Sequence, residues 1–450
     1  MKIFNEWILR FDQPNWASSP EFGLIDTILE THPHLINLLK EEIIHKESEN
    51  EFGRKDTPTV EQIVRAAIFK EMKGMEYREL EFAQEDSKIC GMFIKLDHRK
   101  PFSFQVLQKY ISRVSSGSLH KILVEVNKIA IEEGFEDVSK LRQDSTVVKT
   151  NIHYPTNNSL VWDCIRVSHR LLEALKKEVE DLNYTDYLKG AKKTYFNINV
   201  TKSADKRLVL FQKQLIVFTK TINQVSNAVK KKATTLTAML LQMELEDLLE
   251  DMKQIYDIAW RKEIQGEAVP NDEKLFSIFE RHTDIIVKGS REVLFGHKVN
   301  LATGRSNLIL DIETLEGNPS DKNRYRPTTE RVINNYGRIP KGVATDGGYA
   351  SLENMQFSKD KGIVNVVFNK IAGSLKNQVT SANMETRLKK WRSGIEANIS
   401  NWKRGFNIRV CTWKGWAHFQ AKLLWSALAY NIRVLTALML EKLGLQTAKQ

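Results

Sequence analysis

Apolar residues recur every three to four positions through the first 135 residues, the spacing of amphipathic helices. "FGLIDTILETHPHLINLLKEEIIHK", "MEYRELEFAQED" and "SFQVLQKYISRVSSGSLHKILVEVNKIAIEEG" all follow it. "TPTVEQIVRAAIFKEMKG" adds end signals: Thr59 with Gln62 three residues later reads as a capped start, and Gly74 as the stop. Short helices joined by tight turns suit a helix-turn-helix DNA-binding unit, and a plain helical packing domain produces the same pattern.

The period changes at Gly134. "FEDVSKLRQDSTVVKTNIHYP" is rich in Val and Thr and predicts a strand running through Asp144. Helical spacing returns from 158 to 285, as in "SLVWDCIRVSHRLLEALKKEVEDL" and "TTLTAMLLQMELEDLLEDMKQIYDIAWRKEI". That stretch reads as an insertion into a domain begun at residue 136. From Val293 the strand pattern resumes: "EVLFGHKVNLATGRSNLILDIETLEG" predicts a hairpin, "GVATDG" a short strand and "IVNVVFN" a strand buried on both faces. "YASLENMQFSKDKG", "NQVTSANMETRLKKWRSGIEANISNWKRG" and residues 415 to 443 predict helices between and after them. The expectation is a mixed α/β sheet flanked by helices. The layout is a helical N-terminal domain at 1–135, an α/β domain from 136–157 and 286–435, a helical insertion at 158–285, and a helix end and tail at 436–450.

Charge narrows the partner. The 450 residues carry a net charge of +11 and a pI near 9.2, which favours a polyanion such as nucleic acid. Cys90, Cys164 and Cys411 show no zinc or disulfide spacing and suit a reducing compartment. The N-terminal "MKIFNEWILRFDQPNW" does not read as a signal peptide. Lys422 and Arg433 break the apolar run "LLWSALAYNIRVLTALML" and its approach short of a charge-free span of ~18 residues. The expected location is the cytoplasm, at the nucleoid, with no membrane contact.

Three carboxylates are the candidate chemistry. Asp144 lies within the first strand and Asp346 ends a later one, where α/β sheets collect ligands. Gly347 and Gly348 clear side chains from beside Asp346, which would let a metal and a phosphodiester approach; a strand-ending Asp in a Gly-rich turn has the same sequence. From Arg387 to Arg433 there are ten Lys or Arg residues and one acid, Glu396. Helical spacing sets Arg392, Glu396, Ile399 and Lys403 along one side, beside a stripe of Trp391, Ile395, Asn398 and Trp402. A simple ion pair of Glu396 with Arg392, four residues earlier, is the bland alternative. Two aspartates and a glutamate form an all-oxygen set suited to Mg²⁺ or Mn²⁺. Two such ions about 4 Å apart can drive phosphoryl transfer.

With these residues in view, the chain resembles the DDE transposases of bacterial insertion sequences, closest to the ISNCY group. "EQIVRAAIFKEMKGMEYRELE" is similar to the helical N-terminal domain of that class. "LRQDSTVVKTNIHYPTNNSLVWD" and "ATDGGYAS" resemble its two aspartate blocks, and "RSGIEANISNWKRG" its glutamate block. In related proteins the glutamate block runs Tyr, two residues, Arg, three residues, Glu, six residues, Lys. Arg392, Glu396 and Lys403 match it, and Lys389 stands at the tyrosine position. The resemblance implies a ribonuclease H-like core with Asp144, Asp346 and Glu396 as catalytic metal ligands. It implies Mg²⁺, replaceable by Mn²⁺, and phosphate contacts from Arg392 and Lys403. Lys389, Arg404 and Trp391 are further DNA-contact candidates on the same helix. The implied reaction is cleavage at the element's terminal inverted repeats, then attack of the freed 3′-hydroxyl on target DNA, with a homodimer holding two ends. A DNA-binding protein derived from a transposase, and a metal-dependent nuclease without strand transfer, are the alternatives.

Other residues carry weaker signals. His153 and Tyr154 read as a surface turn after the first strand, and His297 as a strand residue that could line the site. Asp311 and Glu313 share a strand face and read as solvated at a sheet edge. Trp391 or Trp402 could stack on a base flipped out of the duplex. "VKKKATTL" at 229–236 reads as a solvated cation cluster.

Overall fold

A computed structural model describes residues 16, 18–43, 57–97, 99–288, 292–371 and 375–444. Nearly all of the N-terminal stretch read above for a signal peptide, and the tail after Gly444, lie outside the described residues.

The helical period of the first 135 residues becomes α1 (Pro20–Thr31), α2 (His34–Asn37), α3 (Lys40–Ile43), α4 (Val60–Lys73), α5 (Tyr77–Asp86), α6 (Lys88–Phe93), α7 (Phe104–Ile111) and α8 (Ser116–Glu132). The end signals of α4 act as their chemistry predicts. Thr59 Oγ1 accepts from the Gln62 backbone N–H at 3.2 Å, and Gln62 Oε1 accepts from the Thr59 N–H at 3.0 Å. Gly74 closes the helix in the left-handed region, φ 65°.

Next come β1 (Lys140–Thr150), then α9 (Asn157–Lys176), α10 (Leu188–Val200), α11 (Ala204–Ala228) and α12 (Leu236–Ala259), the last running into a π-helical turn at Trp260–Ile264. The remaining elements are β2 (Asp284–Lys288), β3 (Glu292–Thr303), β4 (Ile309–Thr314), α13 (Lys322–Tyr336), β5 (Gly342–Asp346), α14 (Leu352–Asp360), β6 (Asn365–Asn369), α15 (Ala382–Gly405), β7 (Val410–Cys411) and α16 (Trp416–Lys442). Seven strands form one mixed sheet in the order β2-β3-β1-β5-β6, with β4 also on β3 and β7 also on β1. Strands β1, β5 and β6 are parallel neighbours; β3 pairs antiparallel with β2 along its first half and with β4 along its second. This mixed α/β arrangement is consistent with a ribonuclease H-like transposase core.

Three details differ from the sequence reading. Residues 265–283 are not helical, and β2 lies where helix was expected up to 285. "DIIVK" is too short to declare a period, and becomes a strand by pairing with β3. The two-residue β7 carries no period at all. Helix α15 starts at Ala382, capped by Ser381, because Gln378 is first held in an antiparallel bridge to Val366.

The chain divides into two compact units, residues 1–149 with 297–450, and residues 150–296. In the first, the N-terminal helices, the sheet and α16 share one apolar core rather than forming separate cores. Helix α16 is long and apolar enough to cross a membrane by composition, and it is a buried core helix here, with Leu423, Trp425, Leu428 and Leu435 inside. Its two cations are both placed. Lys422 donates to Glu71 of α4 at 2.6 and 2.7 Å, and Arg433 lies over the Phe406 ring at 4.7 Å. In the second unit α9, α11 and α12 bury Cys164, Leu172, Phe218, Leu245 and Met252. The cation cluster at 229–236 is the connection from α11 to α12. All three cysteines are buried.

Candidate active site

Parallel pairing of β1 and β5 runs from Lys140↔Gly342 to Gln143↔Thr345. Asp144 and Asp346 are the next residue on each strand, so two carboxylates far apart in sequence become neighbours across one ladder. Strand β1 lies inside the sheet between β3 and β5, so the strand that carries Asp144 is flanked on both sides.

Helix α15 is fastened over these strand ends. Its Leu388 packs on Ala344 of β5 and Val367 of β6, with Trp391 beside it. Arg142, two residues before Asp144 and therefore on the same strand face, reaches up from β1. Its guanidinium donates to the Trp391 carbonyl at 2.7 Å, to Asn307 Oδ1 at 2.6 Å and to Thr303 Oγ1 at 2.9 Å. Gly394 makes room for it: a Cβ there would lie 2.5 Å from Arg142 Nη1. Burial pushes the Arg142 guanidinium down to about 10, still charged at neutral pH. Farther along α15, Lys403 Nζ donates to the Val147 carbonyl at 2.6 Å. Two cationic clamps therefore bracket Asp144 and fix the helix that carries Glu396.

The three carboxylates meet at one cation. Arg392 lies 2.9 Å from Asp144 Oδ2, 3.1 Å from Glu396 Oε1 and 4.0 Å from Asp346 Oδ2. The ion pair with Glu396 expected from helical spacing is present, and the same guanidinium also gathers both aspartates. Arg392 is 7% exposed, whereas the Glu396 side chain is 67% exposed at the rim. Arg392 Nε is buried without a hydrogen-bond acceptor. Burial pushes the Asp144 carboxyl above the ordinary carboxylate range; Arg392 and the Ser145 N–H pull it back, and Asp346 and Asp321 push it further up. A carboxylate so placed gains from a nearby cation.

Among the described residues, no group of three His, Cys, Asp or Glu side chains is drawn together tightly enough to hold a metal ion. The donor set nevertheless fits a divalent cation: three carboxylates, oxygen only, converging on a single positive group.

Several expectations are corrected. The glycines after Asp346 do not open space for a metal. A Cβ on Gly347 would lie 2.5 Å from the Lys370 carbonyl and 2.8 Å from that of Asn369, and one on Gly348 would press on Asp321. They are glycines because the turn packs against the end of β6 and a side chain. Arg392 does not flank the carboxylate from outside, because three acids hold it inside the fold. Lys403 likewise turns to β1. Lys389 is exposed and pairs with Glu385 at 2.7 Å, and Arg404 is exposed on Ser400, its Nε donating at 2.8 Å. Arg142 lies over the Trp391 ring at 4.7 Å and Lys140 at 5.9 Å. Trp402 is fully buried and donates to Ser426 Oγ at 2.9 Å, which removes it as a platform for a base. His297 is buried mid-strand against Trp416 and Phe419 and does not line the site. Asp311 is not solvated at an edge: it is fully buried and takes both arms of Arg331 at 2.7 to 3.1 Å. His153 lies in an exposed turn, 2.6 Å from Asp163.

Arg142 and Asp321 escaped the sequence reading. A lone Arg in a strand and an Asp in "NPSDKN" look like a solvated charge and a turn residue.

No curated protein and no solved structure matches the chain. Residues 287–432, about a third of the chain, match the family described as Transposase DDE domain. The match contains β3 to β7 and most of α16, with Asp346, Arg392, Glu396 and Lys403, and it begins after β1 and Asp144. This segment is thus similar to the DDE domain of transposases, which supports a DDE transposase family for the chain.

Proposed function

We propose that this chain is a DDE transposase of the ISNCY-like group that binds the ends of an insertion sequence, cleaves the DNA there and joins the freed 3′ end to target DNA. Asp144, Asp346 and Glu396 are the catalytic carboxylates, acting with Mg²⁺ or Mn²⁺. The observation that carries the reading is the convergence of three carboxylates, from β1, β5 and α15, on the Arg392 guanidinium. The match to the DDE domain across two of the three adds to it.

When bound, divalent ions supply Lewis-acid polarisation of the phosphate and activation of the attacking hydroxyl. The protein's part is positioning. Asp144 is held by the sheet interior, Asp346 by the packed Gly347 turn, and Glu396 by a helix pinned through Arg142 and Lys403. Arg392 balances the carboxylates from inside the fold. Lys389 and Arg404, at the exposed side of α15, suit the flanking DNA backbone. Holding two ends together calls for two copies of the chain, a homodimer on DNA.

The test is cleavage of labelled DNA carrying the element's ends, with Mg²⁺, by wild type and Glu396→Gln. The expected result is cutting at the ends by wild type, with equal binding and no cutting by the variant. Cutting by both removes Glu396 from the catalytic set. Binding without cutting by wild type makes the chain a DNA-binding protein instead.

A further inference from the structure

The segment between β4 and α13 brings a fourth carboxylate to the same end of the sheet. Asp321 immediately precedes α13 and makes no side-chain cap to it. Its Oδ1 lies 2.7 Å from Lys298 Nζ as an ion pair, while Lys298 donates its hydrogen bond to the Pro319 carbonyl at 2.9 Å. Lys298 is itself buried on β3, so this cation is fixed. The other face of the carboxylate rests on the turn after Asp346: a Cβ on Gly348 would come 3.3 Å from Asp321 Oδ2. Asp321 thus stands against Gly348, two residues beyond Asp346 in the chain.

The charge of Asp321 reaches into the site. After burial, it is the first charge acting on the inner Tyr349 hydroxyl, three residues beyond Asp346. The cation inventory is uneven. Arg392 serves Asp144 and Glu396 closely and Asp346 only at 4.0 Å, while Lys298 serves Asp321. Four acids thus face two fixed cations. The affinity of a carboxylate site for a hard cation follows its count of nearby negative charges and its rigidity.

We propose that Asp321 is a positioning residue of the metal site, its Lys298-held carboxylate setting how tightly a divalent cation binds at Asp144 and Asp346. This rests on the metal-dependent reading above. A purely structural role, in which Asp321 only ties Lys298 and the β4–α13 segment down, predicts something different. It makes Asp321→Asn and Lys298→Met equivalent, since each breaks the same pair. A charge role gives them opposite signs.

The experiment is Mn²⁺ binding to the full chain without DNA, read from the free-ion EPR signal, with the melting temperature of each variant recorded. Asp321→Asn keeps the shape and removes the charge; it is expected to weaken Mn²⁺ binding about tenfold, the size of outer-partner effects on metal sites. Lys298→Met leaves the Asp321 charge unbalanced and is expected to tighten binding. Unchanged affinity in Asp321→Asn, or a shift of both variants in the same direction, overturns the proposal. The Asp321→Asn arm decides alone where Lys298→Met does not fold. If wild type binds Mn²⁺ and Asp144→Asn abolishes it while Asp321→Asn matches wild type, this inference alone fails. If wild type takes up no Mn²⁺, the metal-site reading fails with it.

Discussion

An alanine at position 347 would push its Cβ into two backbone carbonyls at 2.5 and 2.8 Å, and neither can swing aside as a side chain end would. Gly347→Ala is therefore expected to cost about 1–3 kcal/mol, read as a shifted urea midpoint. It should also lower any Asp346-dependent activity, because the turn that aims Asp346 must move. His153 offers a second residue-scale measurement. Its hydrogen bond to Asp163 raises the imidazole pKa, with burial opposing and the Tyr154 carbonyl adding to the rise. The stabilisation is fully present below the unfolded value near 6.5 and is lost as pH rises through the higher folded value. An NMR titration should give a midpoint above the ordinary histidine range, returning toward it in Asp163→Asn. At this scale, what the sequence disclosed depended on whether the signal was local. Asp346 was visible because an apolar run stops at it and two glycines follow. Glu396 was visible because it is the only acid in a basic stretch. Arg392 was legible as its helical partner, but not as the meeting point of three acids. That depends on β1 and β5 lying side by side, and no local pattern encodes a pairing between strands so far apart.

Among the elements, α4 and α16 are joined by charge as well as by apolar packing. Glu71 and Lys422 are both buried, and Lys70 stands 3.3 Å from the same carboxylate. Burial pushes the Glu71 carboxyl up; Lys422 and Lys70 more than reverse it, leaving it below the ordinary range. Its contribution is present above the unfolded value near 4.5 and is lost as pH falls through the folded one. Lys422→Met leaves the buried carboxylate with Lys70 alone and is expected to cost about 3 kcal/mol by urea denaturation, and replacing both Glu71 and Lys422 by leucine should not recover it, because the buried Lys70 then loses its carboxylate. The same pair explains why the sequence misleads about α16. A lysine inside an apolar helix reads as an interruption, and here it is half of an internal bond. Long periodic helices and the β3–β4 hairpin were legible because each contains its own repeat. The five-residue β2 and two-residue β7 contain none, and exist only through β3 and β1.

For the whole molecule the net charge of +11 suits a polyanion, and the number of phosphates contacted would set how the proposed DNA binding answers to salt. On a logarithmic plot, affinity should fall linearly with salt concentration, each phosphate contact adding about 0.9 to the slope. Lys389→Ala and Arg404→Ala should each lessen the slope by about that amount, measured by fluorescence anisotropy on duplex DNA. Arg142→Ala should leave the slope alone and lower the urea midpoint, since its charge is spent inside the fold.

One feature of α15 reaches beyond the reaction. A cluster of acids would ordinarily repel itself apart until an ion arrived, and a newly made chain would have to find that ion before it could finish folding. Here the helix that supplies Glu396 also supplies, one turn earlier, the guanidinium that quiets the cluster. On the metal-dependent reading proposed above, the fold is expected to form without the ion. Exhaustive treatment with a chelator should leave its melting temperature where it was.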